Sequence, residues 1–207
     1  MKDLTIKDFK SDNGRSISID SEIDECSLAD FKKELIDLIS NDYKVFEENV
    51  SELKNINDEV AKSYEKSVKF PPIYIDICSV GGNLYHAFGM YDLLKKYSED
   101  KKHTIIARTS GMVASAATIV MLGCKERIST KYTSFLVHSV SAFAIGKVND
   151  ILEEVDEIKR LQDIIVEIYT ANTKLTKEKL EEIDKMKKDW WIGAKEAKSY
   201  GLITSIE

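Results

Sequence analysis

The chain has 207 residues, of which 43% are hydrophobic and 32% are charged, and its formal net charge is −6. This length and composition are typical of one globular domain with a substantial core. The negative charge excludes the basic footprint of a nucleic-acid-binding protein, and no apolar run approaches the roughly 18 residues that span a bilayer.

The amino terminus and the cysteines indicate the compartment. Residues 1–4 carry charge where a signal peptide needs an apolar stretch. The three cysteines, Cys26, Cys78 and Cys124, have no metal-ligand spacing, and an odd count does not suggest a disulfide framework. These features predict a reducing, cytoplasmic location and no membrane association.

The first third of the chain predicts an arm, a strand, a helix and a segment with two alternatives. Residues 1–14 are polar and predict an arm before a domain over 15–207. Residues 16–20 alternate with period two and predict a strand, and 28–39 place their apolar residues on one helical face. Residues 41–69 are charged and weakly periodic, so they are an insertion that forms either a helical hairpin or a solvated excursion.

Two strand–turn–helix units follow. Two prolines lead into the β-branched strand 73–77, a glycine turn at 79–83 and a helix from Leu84. The same order recurs over 104–122. Alternating strands and helices predict an α/β fold with a parallel sheet.

The last third predicts a strand and two helices. Residues 128–137 supply the strand, and 148–169 form an amphipathic helix longer than a compact core requires. One face of that helix must pack against something, for which a neighbouring subunit is a candidate. A short helix over 194–200 ends at Gly201.

Ser115 is the candidate nucleophile. It lies among small residues between a predicted buried strand and a predicted buried helix, where free backbone N–H groups point toward a ligand. The alternative is a small residue that allows tight strand–helix packing. A serine also needs a base, and His138 ends a predicted strand just as Ser115 does. His138 alone is equally consistent with a backbone contact, whereas His103 follows a charged run and is expected to be exposed.

The acid and the oxyanion donors are less specific. Physical reasoning alone does not select one acid, although the tryptophans after Asp189 suggest a partly buried place, with a surface turn as the alternative. Glu181, Glu182 and Asp184 belong to a charged helix face. The double glycine that ends with Gly82 lets an N–H approach an oxyanion, and Ala116 would supply the second N–H. A Gly-Gly pair by itself more often marks a simple turn.

Together these segments resemble the proteolytic subunit of the ATP-dependent Clp protease, a serine peptidase family of crotonase-like fold. The likeness covers the chain from Gly14 onward apart from 41–69, and it rests on the segments 75–82, 111–115, 136–138 and 188–203. The resemblance implies that Ser115, His138 and Asp189 match the catalytic triad and that Gly82 and Ala116 match the oxyanion donors. This chemistry needs no metal or organic cofactor.

The resemblance also implies an architecture and partners. It predicts an α/β, ClpP-type fold of repeated strand–helix units with a protruding long handle helix over 148–169. It implies a homo-oligomeric ring, a heptamer or double heptamer, around a chamber in which unfolded polypeptides are cleaved. An ATP-dependent unfoldase would feed these substrates inward.

Four departures from the family pattern stand out. Val80 replaces the proline before the glycines, which is expected to loosen the turn, and Ser139-Val140 replaces Gln-Pro after the histidine. Residues 141–146 replace the glycine-rich strand that grips substrate, and Lys187 and Lys188 replace an acid–arginine pair that links rings.

These departures leave three alternatives open. One is a phage-type Clp-like head maturation protease, and another is a crotonase-like acyl-CoA enzyme with carboxylate acid/base groups. The third is a non-catalytic ring subunit, motivated by the changes after His138. The serine–histidine–aspartate order favours the peptidase, because a fold alone does not decide a function.

Overall fold

The computed structural model describes residues 6–9, 14–99, 101–142, 144–185 and 189–207. These residues form seven strands and seven helices, and none of the helices in these ranges combines the length and apolar character of a bilayer span. In chain order the elements are β1 (Ser16–Ile19), α1 (Glu25–Lys54), α2 (Asp58–Ser67), β2 (Ile73–Ser79), α3 (Leu84–Ser98), β3 (Ile105–Ala114), α4 (Ala116–Leu122), β4 (Glu126–Ser129), β5 (Ser134–Val137), α5 (Val148–Asn172), α6 (Lys177–Lys185), β6 (Trp190–Gly193), α7 (Ala194–Ser199) and β7 (Ser205–Ile206).

The sheet is mainly parallel, as predicted, but it has one antiparallel strand. Strands β1, β2, β3, β4 and β7 are neighbours in that order and run parallel. Strand β5 pairs in parallel with β3, and β6 pairs antiparallel with β5. The predicted parallel sheet thus carries one antiparallel strand, β6, at its edge beside β5.

The single strand predicted over 128–137 is two strands. Strand β4 pairs with Ile106–Thr109 of β3, whereas β5 pairs with Met112–Ala114 of the same strand. Strand β3 changes partner at Gly111, whose φ of 60° favours glycine. The segment 128–137 thus forms two strands, β4 and β5, because their shared neighbour β3 bends at Gly111 between the two pairings.

The core lies on one face of the sheet. Alternate residues of β2, namely Ile73, Ile75 and Ile77, are buried there, and α1, α3 and α4 cover them. All seven residues of α4 are buried, which explains why its sequence is apolar on every side. The repeated strand–helix units therefore place the carboxyl ends of β2 and β3 next to each other.

Residues 41–69 lie in a helical hairpin formed by α1 and α2 and not in a solvated excursion. Helix α1 runs past the predicted end at residue 39 and continues to Lys54, and α2 returns alongside it. Asn57 caps α2 by accepting hydrogen bonds from the backbone N–H groups of Glu59 and Val60. Asn49, in α1, donates to Tyr64 Oη of α2 over 3.0 Å.

A buried ionic cluster joins the hairpin to the sheet. Arg15 and Asp42 have fully buried side chains and form a two-point ion pair with N–O distances of 2.7 and 2.6 Å. Arg15 also donates to the carbonyls of Pro71 and Pro72, just before β2. His103 lies 3.4 Å from Asp42 and is buried, so the expectation that it is exposed was wrong. A charged sequence context does not reveal this burial, because Asp42 comes from a distant helix.

The described part of the predicted arm contacts the hairpin. The Lys7 backbone N–H donates to Asn49 Oδ1 over 2.8 Å, and the Phe9 ring lies 5.1 Å from that of Phe70. Residues 1–5 and 10–13 of the arm lie outside the described residues.

The predicted long helix is present and extends to Asn172. Its carboxyl-terminal half packs on the core through Leu161, Ile165, Ile168 and Tyr169, whereas its first half leaves apolar side chains exposed. The described residues of 141–146, the segment that replaces the family's glycine-rich strand, form no strand. Phe143, Lys187 and Lys188 lie outside the described residues.

Candidate active site

Pairing between β3 and β5 brings Ser115 and His138 together. Ser115 follows the last residue of β3, and His138 follows the last residue of β5. The ladder aligns Ala114 with Leu136, and the Ser115 N–H donates to the Leu136 carbonyl over 2.9 Å. His138 Nε2 consequently lies 2.8 Å from Ser115 Oγ, within hydrogen-bond distance. A hydroxyl at this distance from an imidazole nitrogen can transfer its proton there.

Ser115 has an unusual backbone conformation. Its φ is 55° and its ψ is −127°, and it is the one non-glycine with positive φ among the described residues. Such a conformation costs about 1–3 kcal/mol and persists only where the surroundings hold it. The sharp turn from β3 into α4 presents the side chain at the end of the sheet, half exposed. A strained serine at a strand–helix junction is the geometry of a nucleophile elbow.

The glycine turn lies directly against this elbow. A Cβ on Gly81 would fall 2.8 Å from Ser115 Cβ and 2.9 Å from the Ala116 nitrogen. The buried Ser79 hydroxyl holds the turn, because it donates to the Ser21 carbonyl and accepts from the Gly81 N–H. Val80, which stands where the family has the proline, is exposed. Nothing in the sequence pattern marks Ser79 as the residue that holds the turn.

Two backbone N–H groups remain available beside Ser115. Gly82 forms a parallel bridge with Ile23, but the bridge uses the Gly81 carbonyl and the Asn83 N–H. The Gly82 N–H therefore points away from Ile23. Ala116 is the first residue of α4, so its N–H has no partner within that helix. Both groups line the same cleft, which suits them to bind an oxyanion.

A cleft runs from Ser115 to α5. Its volume is about 410 Å³ including the open mouth. Its walls combine polar and apolar groups: beside the serine and histidine they include Ser139 and Ser141 as well as Leu84, Ile119, Val140, Ile165 and Tyr169. In the part of the chain that the structure describes, no three His, Cys, Asp or Glu side chains are grouped as metal ligands would be.

Asp189 directly precedes β6, the strand that pairs with β5. Strand β6 pairs antiparallel with β5, and Val137 is opposite Trp190. If this register continued by one more residue, Asp189 would lie opposite His138. Asp189 is exposed, and no hydrogen bond joins it to His138 within the described ranges. The structure brings the first two predicted residues together and leaves the third nearby.

Two hydroxyls under Ser115 were not selected from the sequence. Thr118 Oγ1 lies 2.5 Å from the Ser115 carbonyl oxygen and 2.5 Å from Tyr169 Oη. Both side chains are buried, and burial raises the pKa of the Tyr169 phenol above its usual range, so the phenol stays protonated. The only sequence signal was a threonine within an otherwise apolar helix.

Comparison with known proteins identifies the family. The family model described as Clp protease matches residues 54–207. The chain therefore belongs to the Clp protease family, which is a family of serine peptidases.

Individual relatives agree with this assignment. Over 137 residues the chain is 26% identical to an ATP-dependent Clp protease proteolytic subunit from Nephroselmis olivacea, with 65% of this chain and 63% of that protein aligned. Over 135 residues it is 30% identical to the protein of the same description from Borrelia garinii, with 65% and 67% aligned. The chain thus spans just under two thirds of the first relative and about two thirds of the second.

A solved structure shows the same fold. The chain superposes on a ClpP1 mutant from Listeria monocytogenes with a TM-score of 0.69, covering 94% of this chain and 92% of that chain at 24% identity. This match establishes the ClpP-type α/β fold with its long helix.

Proposed function

We propose that this protein is a serine endopeptidase subunit of the Clp type. The contact of 2.8 Å between Ser115 Oγ and His138 Nε2 carries the proposal. Membership of the Clp protease family and the two free N–H groups beside the serine support it. None of the three alternatives is favoured by a comparison, and a serine and histidine within hydrogen-bond distance argue against a non-catalytic subunit.

Acylation uses Ser115 and His138. Neutral His138 carries its proton on Nδ1, so that Nε2 accepts the serine proton while Oγ attacks the scissile carbonyl carbon. The carbonyl π electrons move to oxygen and form a tetrahedral oxyanion. The N–H groups of Gly82 and Ala116 donate hydrogen bonds to that oxygen. His138 then returns the proton to the leaving amine as the C–N bond breaks.

Deacylation repeats these steps with water. The amine product leaves, and His138 Nε2 takes a proton from a water molecule that attacks the acyl-enzyme carbonyl. The same two N–H groups stabilise the second oxyanion. Collapse of this intermediate breaks the C–O bond to Ser115, and His138 returns the proton to Oγ. The new carboxyl terminus is released, and the serine is regenerated.

Asp189 completes the proposed triad. A continued register of β5 and β6 would place it opposite His138 and let the carboxylate turn toward Nδ1, where it would hold the tautomer and stabilise the imidazolium. We expect Asp189→Asn to lower kcat with little change in KM. Glu196→Gln is the matched control, because Glu196 is an exposed carboxylate in α7. Equal kcat values for the two variants would remove Asp189 from the triad.

The substrate and assembly follow from the family. The cleft, which offers both polar and apolar groups, would take an extended segment of unfolded polypeptide, which an ATP-dependent unfoldase would deliver to a homo-oligomeric ring of seven or fourteen subunits. Exposed apolar side chains on the first half of α5 support contact with another subunit, among them Val148, Leu152 and Val155. The protein would act in the cytoplasm, and its three cysteines are free thiols. Mass in solution tests the ring.

Covalent labelling tests the nucleophile. A fluorophosphonate should label the wild-type protein and not Ser115→Ala. Ser110→Ala is the matched control, because Ser110 is an exposed serine on the same strand. A fluorogenic peptide should likewise be hydrolysed by the wild type and by Ser110→Ala but not by Ser115→Ala. Labelling that survives in a folded Ser115→Ala variant would refute the proposal.

A further inference from the structure

Both backbone polar groups of Ser115 are held by neighbours. The N–H donates to the Leu136 carbonyl, as described above. The carbonyl oxygen accepts from the Thr118 N–H over 3.0 Å and from the Thr118 hydroxyl over 2.5 Å. Because a backbone with positive φ is unfavourable for serine, these bonds oppose its relaxation.

The direction of donation through the two hydroxyls can be assigned. A carbonyl oxygen only accepts, so Thr118 must use its single hydroxyl proton on Ser115. The Tyr169 hydroxyl, 2.5 Å from Thr118 Oγ1, must then donate to it. The chain of donors therefore runs from Tyr169 to Thr118 to Ser115. Each bond polarises the next, which strengthens the whole series.

The Ser115 carbonyl and the Ala116 N–H belong to one peptide unit. The unit is planar and trans, so the two groups point in opposite directions. A carbonyl directed into the core toward Thr118 directs the Ala116 N–H out toward the cleft. Hydrogen bonds to the carbonyl also make that N–H a stronger donor.

We propose that Thr118 and Tyr169 are positioning residues that aim the Ala116 N–H at the oxyanion. This inference rests on the proposed function. The Tyr169 side chain comes from α5, is 2% exposed and also lines the cleft. The long helix thereby reaches the peptide unit that stabilises the transition state. Neither residue contacts the reacting atoms, so both act through the Ser115–Ala116 peptide.

Peptide hydrolysis by three variants tests the proposal. Thr118→Val removes the hydroxyl at nearly constant shape and should lower kcat roughly tenfold with KM unchanged. This is less than the roughly 100-fold to 1,000-fold loss on removing an oxyanion donor outright. Tyr169→Phe keeps the ring that lines the cleft and should lower kcat roughly threefold. Thr118→Ser keeps the donor and should retain wild-type kcat.

A double variant separates positioning from stability. Thr118→Val combined with Tyr169→Phe leaves no hydroxyl unpaired, so its thermal stability should recover relative to Thr118→Val alone. Its kcat should stay low because the donor to Ser115 is still missing. If kcat recovers together with stability, the pair is only structural and the proposal is wrong.

A matched control and the wild type complete the test. Thr133→Val removes another buried hydroxyl, which does not line the cleft and donates a hydrogen bond of 3.2 Å to the Thr109 carbonyl. This variant should keep wild-type kcat. If Thr133→Val loses as much kcat as Thr118→Val, the effect is general and the proposal fails. A folded wild type that neither hydrolyses peptide nor reacts with a fluorophosphonate would instead refute the proposed function.

Discussion

Gly81→Ala should disable the site while leaving the fold in place. The new Cβ would lie 2.8 Å from Ser115 Cβ and 2.6 Å from the Ala114 carbonyl oxygen. Ordinary contact begins at 3.4 Å, so the gap to Ser115 must open by about 0.6 Å, the difference between 3.4 and 2.8 Å. The neighbours are backbone and the elbow itself, so they cannot simply rotate away.

Backbone strain and overpacking set the expected loss of stability, and displacement of Ser115 sets the expected loss of activity. Alanine at a φ of 92° costs about 1–3 kcal/mol, and overpacking costs about 1–3 kcal/mol more. At roughly 2–4 °C per kcal/mol, a loss near the middle of that range lowers Tm by about 12 °C. A misplacement approaching 1 Å in a catalytic group lowers kcat by about 100-fold.

Thermal unfolding checks the loss of stability. Peptide hydrolysis, measured well below the Tm of the Gly81→Ala variant, checks the loss of kcat. Gly193→Ala is the matched control, because a Cβ there meets nothing within 4 Å and its φ is −86°. That variant should keep wild-type Tm and kcat. A stable Gly81→Ala variant with wild-type kcat would show that the turn does not press on Ser115 and would refute the reasoning.

Three further predictions concern the supports of the site. Asp42→Ala leaves Arg15 buried without its counter-charge and should lower the free energy of unfolding by about 3–5 kcal/mol, measured in thermal melts. Arg15→Met combined with Asp42→Leu should recover most of this loss. A double variant no more stable than Asp42→Ala would contradict this prediction. Burial opposes ionisation of Asp42, but its contacts with His103 and Arg15 outweigh burial and hold its pKa below the ordinary 3.8. The wild type should therefore begin to lose stability as the pH falls below about 4, and the loss should continue until the pH has passed the lowered pKa of the folded state. Urea unfolding between about pH 2 and 5 checks this, and the double variant should lack that component. Ser79→Ala frees the Gly81 N–H and should cost about 2 kcal/mol and lower kcat, and an unchanged kcat would show that the turn needs no such support.

The sequence determined the local elements and the candidate chemistry. Period-two and helical patterns placed β1, β2, α3 and the long helix α5, because burial of one face imposes those periods on the chain itself. Small residues around Ser115 and a histidine at a strand end marked a candidate pair, and the family resemblance favoured it over the packing alternatives. These are local signals, each contained within a few residues.

Tertiary pairing decided the rest. The β3–β5 register set the 2.8 Å contact between Ser115 and His138, and the bend in β3 divided one predicted strand into two. Asp42 made His103 a buried residue, and Tyr169 gave Thr118 a donor from another helix. Each of these outcomes depends on partners at least 20 residues away in the chain. Local periodicity carries no information about such partners, because it reports only whether a residue faces the core and not which residue it meets there.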